Sequence, residues 1–98
     1  MIKVYGMKTC PYCAYIYEQI KGDRRFEVME IGEHVSIMSE FMMLRDTNPA
    51  FDNAKKVHDI GVPCFVLEDG SVSLDPARVG LREYSPKEES CSMDGRGC

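Results

Sequence analysis

The chain opens on a short run of β-type residues, Ile2 to Gly6, closed by a glycine, and this predicts a strand that stops at Gly6. Beyond Pro11 the period changes. Cys13, Ile16, Tyr17 and Ile20 recur at i, i+3, i+4 and i+7, the stripe with which an amphipathic helix faces a core. Pro11 suits the first helical position, where its missing N–H would have no partner anyway, and Gly22 ends the helix. "RFEVMEI" sets Phe26, Val28 and, loosely, Glu30 against Glu27, Met29 and Ile31, an alternation that predicts a second strand. A second helix is expected from about His34 to Arg45, with Val35, Met38 and Met42 on one face. "DTNP" breaks it, because the residue before a proline avoids helical angles. Asn48 can then cap and Pro49 open a further helix to about His58, with Phe51, Ala54, Val57 and His58 turned inward.

"CFVLE" predicts a third strand, Asp69-Gly70 a hairpin turn and "SVSL" a fourth strand. Asp75 and Pro76 look like the cap and first turn of a short last helix ending near Gly80. The resulting order is β-α-β-α-β-β-α, with the third short helix joined to the second. It predicts an α/β domain over residues 1–84 with a four-stranded mixed sheet flanked by helices. No internal repeat is visible. The remaining "SPKEESCSMDGRGC", residues 85–98, is polar, charged and small, a composition that predicts a flexible tail.

Composition narrows the class. With 98 residues and 44% hydrophobic content, the chain can bury a core without metal or disulfide staples. A net charge of -4 and the lack of a basic run of five or more disfavour nucleic acid or an anionic membrane as partner. The start "MIKVYG" has no charged segment followed by an apolar one, and no apolar stretch nears the roughly 18 residues of a membrane helix. The expectation is a cytoplasmic protein, where disulfides are usually transient and catalytic. Five cysteines leave at least one without an intrachain partner.

That context gives weight to "KTCPYCAY", residues 8–15, in which Cys10 and Cys13 stand two residues apart. At the start of the first helix of such a β-α unit, Cys-x-x-Cys is the thioredoxin-like redox pattern. The thiolate is the nucleophile. At a helix N-terminus, free N–H groups and the helix dipole favour negative charge on Cys10, and Lys8 adds to them. Cys13 lies nearly a turn deeper, where those effects fade. Cys10 is therefore expected to attack a disulfide and Cys13 to resolve the mixed disulfide. The alternative is a zinc pair. Zinc wants four ligands, commonly from two close pairs, and the other cysteines are Cys64, alone, and Cys91 and Cys98, six residues apart in the tail. In "IGVPCF", Val62-Pro63 precedes a strand, where a proline either simply ends a loop or, as a cis bond, offers the Val62 backbone to an extended substrate.

"CPYC" after a first strand, with "GVP" about fifty residues later at the head of a hairpin, resembles the glutaredoxins over roughly residues 1–84. "RDTNPAFDNAKKVHDIGVPCFVLEDG" is similar, more narrowly, to small glutaredoxin-related proteins of anaerobic bacteria. The resemblance implies a thioredoxin-like fold and an enzyme without a tightly bound cofactor, acting as a monomer on glutathione and on disulfide-containing proteins. It implies that Cys10 forms the mixed disulfide with glutathione and Cys13 the intramolecular one. Tyr12 would line the glutathione groove, Lys8 would meet the glycine carboxylate, and a cis Val62–Pro63 would pair with the tripeptide backbone. Where the family carries a Gly-Gly pair followed by Cys or Ser and Asp, this chain has "SLDP". Asp75 either accepts the γ-glutamyl amino group or only caps the helix. The missing glycines favour a variant reduced by a thioredoxin-reductase-type flavoprotein. An iron–sulfur-binding module is a further alternative, against which the proline of "CPYC" argues. So is a regulatory domain whose cysteine pair only senses redox state.

Of the other residues, Cys64 is expected to be an inert core thiol turned away from the side of Val62. Met38, Met42 and Met43 are expected to fill the core, and His34 and His58 to lie at the surface or at helix ends. Cys91 and Cys98 form a disulfide with each other, swing to Cys10, or stay idle.

Overall fold

Strand β1 (Ile2–Gly6) organises the sheet in this computed structural model, which describes residues 1–83. It runs parallel to β2 (Phe26–Glu30), with Val4 opposite Val28 and Gly6 opposite Glu30, and antiparallel to β3 (Cys64–Val66), with Tyr5 opposite Cys64. A hairpin brings β4 (Val72–Ser73) beside β3, so the order is β2-β1-β3-β4. Parallel neighbours need a crossover, and α1 (Pro11–Ile20) supplies it between β1 and β2. The protein is an α/β domain on a four-stranded mixed sheet.

Alternation along β1 splits the core into two layers. Val4 faces Ile16 and Ile20 of α1 together with Phe26, Phe65 and Val79. Tyr5 faces the other way, toward Ile31, Phe41, Phe51 and Cys64. This second layer is closed by α2 (Val35–Thr47), a 3-10 turn over Pro49–Phe51, and α3 (Asp52–Lys56). Phe41 and Phe51 meet edge to face, with ring centroids 5.7 Å apart. Each is completely buried, a contribution of roughly 2–3 kcal/mol from transfer alone.

The first helix keeps its expected stripe, with Cys13, Ile16 and Ile20 buried. Elsewhere the sequence pattern misleads. Helix α2 turns Phe41 inward, with Ile37, Met38 and Leu44 half-buried around it. Val35 is 82% exposed, and Met42 and Met43 are exposed too. A phenyl ring two turns along sets the helix's rotation, and the methionines, which fit many environments, do not. Asn48 accepts from the N–H of Ala50 at 2.9 Å and holds extended backbone angles ahead of Pro49. The helix that follows is shorter than expected: Val57 is 71% exposed and His58 adopts a left-handed φ of 60°. The last helix is a 3-10 turn, Pro76–Val79, ended by Gly80 at φ 80°. Cys64 is buried, as expected, but in the same cluster as Val62, because residues two apart on a strand share a face. Tyr84 and residues 85–98, with Cys91 and Cys98, lie outside the described residues.

Candidate functional site

The turn after β1 is closed by the N–H of Cys10 donating to the carbonyl of Met7 at 3.0 Å. Cys10 then begins α1 with extended angles, Pro11 takes the first helical position, and the Cys10 carbonyl accepts the N–H of Ala14 at 2.9 Å. The Cys10 side chain caps no helix N–H and is half-buried, so its thiol remains within reach of solvent.

Cys13 differs. It is 0% exposed. Burial pushes its thiol up to about 12, opposed by the N–H of Met7 and reinforced by the Cys10 thiol it meets and by the charge of Glu30. The two sulfurs thus differ in exposure, and burial is the largest cause of the Cys13 shift.

Gly6 makes room behind the pair. A Cβ at that position would stand 2.7 Å from the Tyr17 hydroxyl and 3.0 Å from Cys13 Sγ. Glu30 is the partner of Gly6 across the β1–β2 ladder, and paired residues project to the same face. The carboxylate is doubly held: Oε2 accepts the backbone N–H of Lys8 at 2.9 Å and Oε1 accepts the Tyr17 hydroxyl at 3.1 Å. Burial first, then the charge of Glu30, keeps the Tyr17 phenol well above its ordinary range. The Lys8 ammonium pairs with Glu33, which lies on the β2 side of the motif.

On the β4 side, Tyr12 lines an open groove with Ala50, Val72, Ser73, Leu74, Asp75 and Pro76. Val62 packs in the cluster that contains Val72 and Leu74. The Val62–Pro63 bond is cis and Pro63 is fully buried. Because Tyr5 is opposite Cys64, this bond sits at the end of β3 nearest the turn after β1. Neither the N–H nor the carbonyl of Val62 meets a partner among the described residues. Asp75 caps the final 3-10 turn, Oδ1 accepting the N–H of Ala77 at 3.0 Å, and its side chain is exposed. Tyr12 and Asp75 therefore border one surface, Val62 packs in the layer behind it, and the Lys8 ammonium is turned toward Glu33. A separate apolar groove of about 690 Å³ lies between α2 and the sheet, with Tyr5 and Glu40 in its lining and no cysteine.

In the sequence Glu30 stands only in a loose strand alternation and Tyr17 only in a helix stripe. The signal was a carboxylate at a core-facing position of the second strand. Among the described residues, no three of His, Cys, Asp and Glu are grouped to hold a metal ion, and no helix is long and apolar enough to cross a membrane.

A protein of Haemophilus influenzae, described as an uncharacterized protein, is 30% identical to this chain over 77 residues, 78% of this chain and 90% of that protein. The chain belongs to the family of that protein. No family model matches the chain, and no solved structure matches it.

Proposed function

We propose that the chain is a thiol–disulfide oxidoreductase of glutaredoxin type on a thioredoxin-like fold, with Cys10 attacking and Cys13 resolving. The observation that carries this reading is the inequality of two touching thiols, Cys10 open at the start of α1 and Cys13 sealed and held as a thiol. A structural pair would have no need of one open member.

The Cys10 thiolate attacks one sulfur of a substrate disulfide, forming a mixed disulfide and expelling the other sulfur as a thiolate. Cys13 loses its proton and attacks Cys10 Sγ. The substrate's second sulfur leaves, and the pair, now a disulfide, has given up two electrons. One glutathione thiolate reopens it at Cys10, freeing Cys13. A second attacks the glutathione sulfur of that adduct and leaves with it as glutathione disulfide, releasing Cys10 as a thiolate, so the pair regains its two electrons. The Tyr12 ring and the free backbone of Val62 offer a wall and a strand-like partner for an extended peptide. Asp75, exposed and negative, is placed to accept an amino group while capping its turn. Lys8 would have to leave Glu33 to meet a carboxylate.

The test is to incubate oxidised protein with glutathione, or separately with NADPH and a thioredoxin-reductase-type flavoprotein, and to map each thiol by mass spectrometry. Reduction through a glutathione adduct on Cys10 is expected. Reduction by the flavoprotein alone keeps disulfide exchange and removes glutathione as the donor. An inert Cys10–Cys13 pair with both donors would overturn the proposal.

A further inference from the structure

The exchange reading leaves one proton without a destination. Cys13 is buried and must lose its proton before it can attack Cys10 Sγ. The groups around it are few. From α1 come Cys10 and Tyr17, from the turn after β1 comes Lys8, and from the end of β2 comes Glu30, with Glu33 beyond it. Lys8 directs its ammonium to Glu33, so neither of these charges is free to act on the thiol. Glu30 differs in having its side chain on the α1 face of the sheet, opposite a glycine. The missing side chain at Gly6 opens a slot whose walls are the Cys13 sulfur, the Tyr17 hydroxyl and, through it, the Glu30 carboxylate.

Resting on the exchange reading, we propose that Glu30 is the proton acceptor for Cys13 and that Tyr17 is the positioning residue that links them. In the reduced pair the Tyr17 hydroxyl bonds Glu30 and faces Cys13 only across the Gly6 slot; as Cys13 Sγ bonds to Cys10 Sγ, Tyr17 turns into that slot, and the Cys13 proton passes to its oxygen while its own proton passes to Glu30 Oε1. The bond between Cys10 Sγ and the substrate sulfur breaks, and the substrate sulfur leaves with the electron pair. Glu30 then gives the proton to solvent or to the departing thiolate. The backbone N–H of Lys8 holds the other carboxylate oxygen, so the acceptor stays in place when Tyr17 shifts.

The experiment mixes the reduced full-length chain, carrying Cys91→Ser and Cys98→Ser so that the tail thiols add no signal, with 5,5′-dithiobis(2-nitrobenzoate) in a stopped-flow instrument. The first burst of nitrothiobenzoate reports attack by Cys10, and the second reports resolution by Cys13. Glu30→Gln retains an oxygen for the Lys8 N–H. It is expected to leave the first phase within about twofold and to slow the second by about tenfold or more near neutral pH. Tyr17→Phe is expected to slow the second phase as well. The wild-type second phase should rise with pH and level off, whereas that of Glu30→Gln should keep rising with hydroxide. Second phases matching wild type in both variants at every pH would overturn the proposal and leave the exchange reading intact. Equal slowing of both phases would overturn it by making Glu30 a support for the turn. A wild-type protein with no second phase would overturn the exchange reading itself, and the proposal with it.

Discussion

Arg45, on the flank of α2, reaches the chain just before the cis bond: its Nε donates to the carbonyl of Ile60 at 2.9 Å and its Nη2 to that of Asp59 at 2.7 Å. Two bonds from one rigid fork fix both distance and direction. They anchor the segment that carries Gly61, whose φ of 97° and close approach to the Phe51 ring exclude a side chain. Arg45→Met should lower stability by about 1–2 kcal/mol in urea unfolding. It should also raise KM for a disulfide substrate several-fold while changing kcat little. An unchanged KM would detach this loop from substrate binding.

Gly6→Ala tests the slot from its other side. The new methyl meets Tyr17 and the Cys13 sulfur inside van der Waals range, and overpacking of this kind costs about 1–3 kcal/mol. Chemical denaturation should show that loss. Alkylation should find Cys13 more reactive in the folded variant, because the sulfur is the softer neighbour to displace.

Removing each sulfur separates the two roles. Cys13→Ser should accumulate a mixed disulfide on Cys10, visible by mass spectrometry as a single adduct. Cys10→Ser should form none, with exchange falling by a factor on the order of a thousand. An adduct on Cys13 in the latter variant would reverse the assignment.

Alkaline titration reads burial. Cys13 and Cys64 are both pushed from an ordinary 9.0 up to about 12, burial being the largest cause in each. Tyr5, raised to about 12 by burial and Glu40, acts in the same direction. The unfolded chain ionises these groups first, so it binds fewer protons than the folded chain between pH 9 and 12. Stability should be independent of these groups below pH 9 and should fall across that window. The slope is at most about 1.4 kcal/mol per pH unit for each thiol, and less where solvent reaches it. Equilibrium unfolding at a series of pH values checks it. Cys64→Ala should shallow the slope.

The parts of this protein legible in its sequence are those fixed by local rules. The period of α1, the proline at its start, the capping Asn48 and the Asp69-Gly70 turn depend on neighbours within a few residues, and each stands where its residues place it. The inward face of α2 depends on which side chain best fills space against Tyr5 and Phe51, and periodicity could not choose Phe41 over Val35 and Met42. The site divides in the same way. The cysteine pair announces itself by spacing. Glu30 is tied to it by strand register, Gly6 opposite Glu30, which a linear pattern does not carry.

The order β2-β1-β3-β4 seats the cysteine pair and the groove beside Tyr12 on elements of different durability. The cysteines hang from β1, which has a partner along both sides, whereas the groove beside Tyr12 is built partly on β4, an edge of two residues. Interior strands open last and short edges fray first. Amide exchange should therefore be slow in the residues leading into Cys10 and fast at Val72 and Ser73. The pair would stay anchored while the surface beside it reshapes, so that one fixed pair of sulfurs could serve partners of different outline.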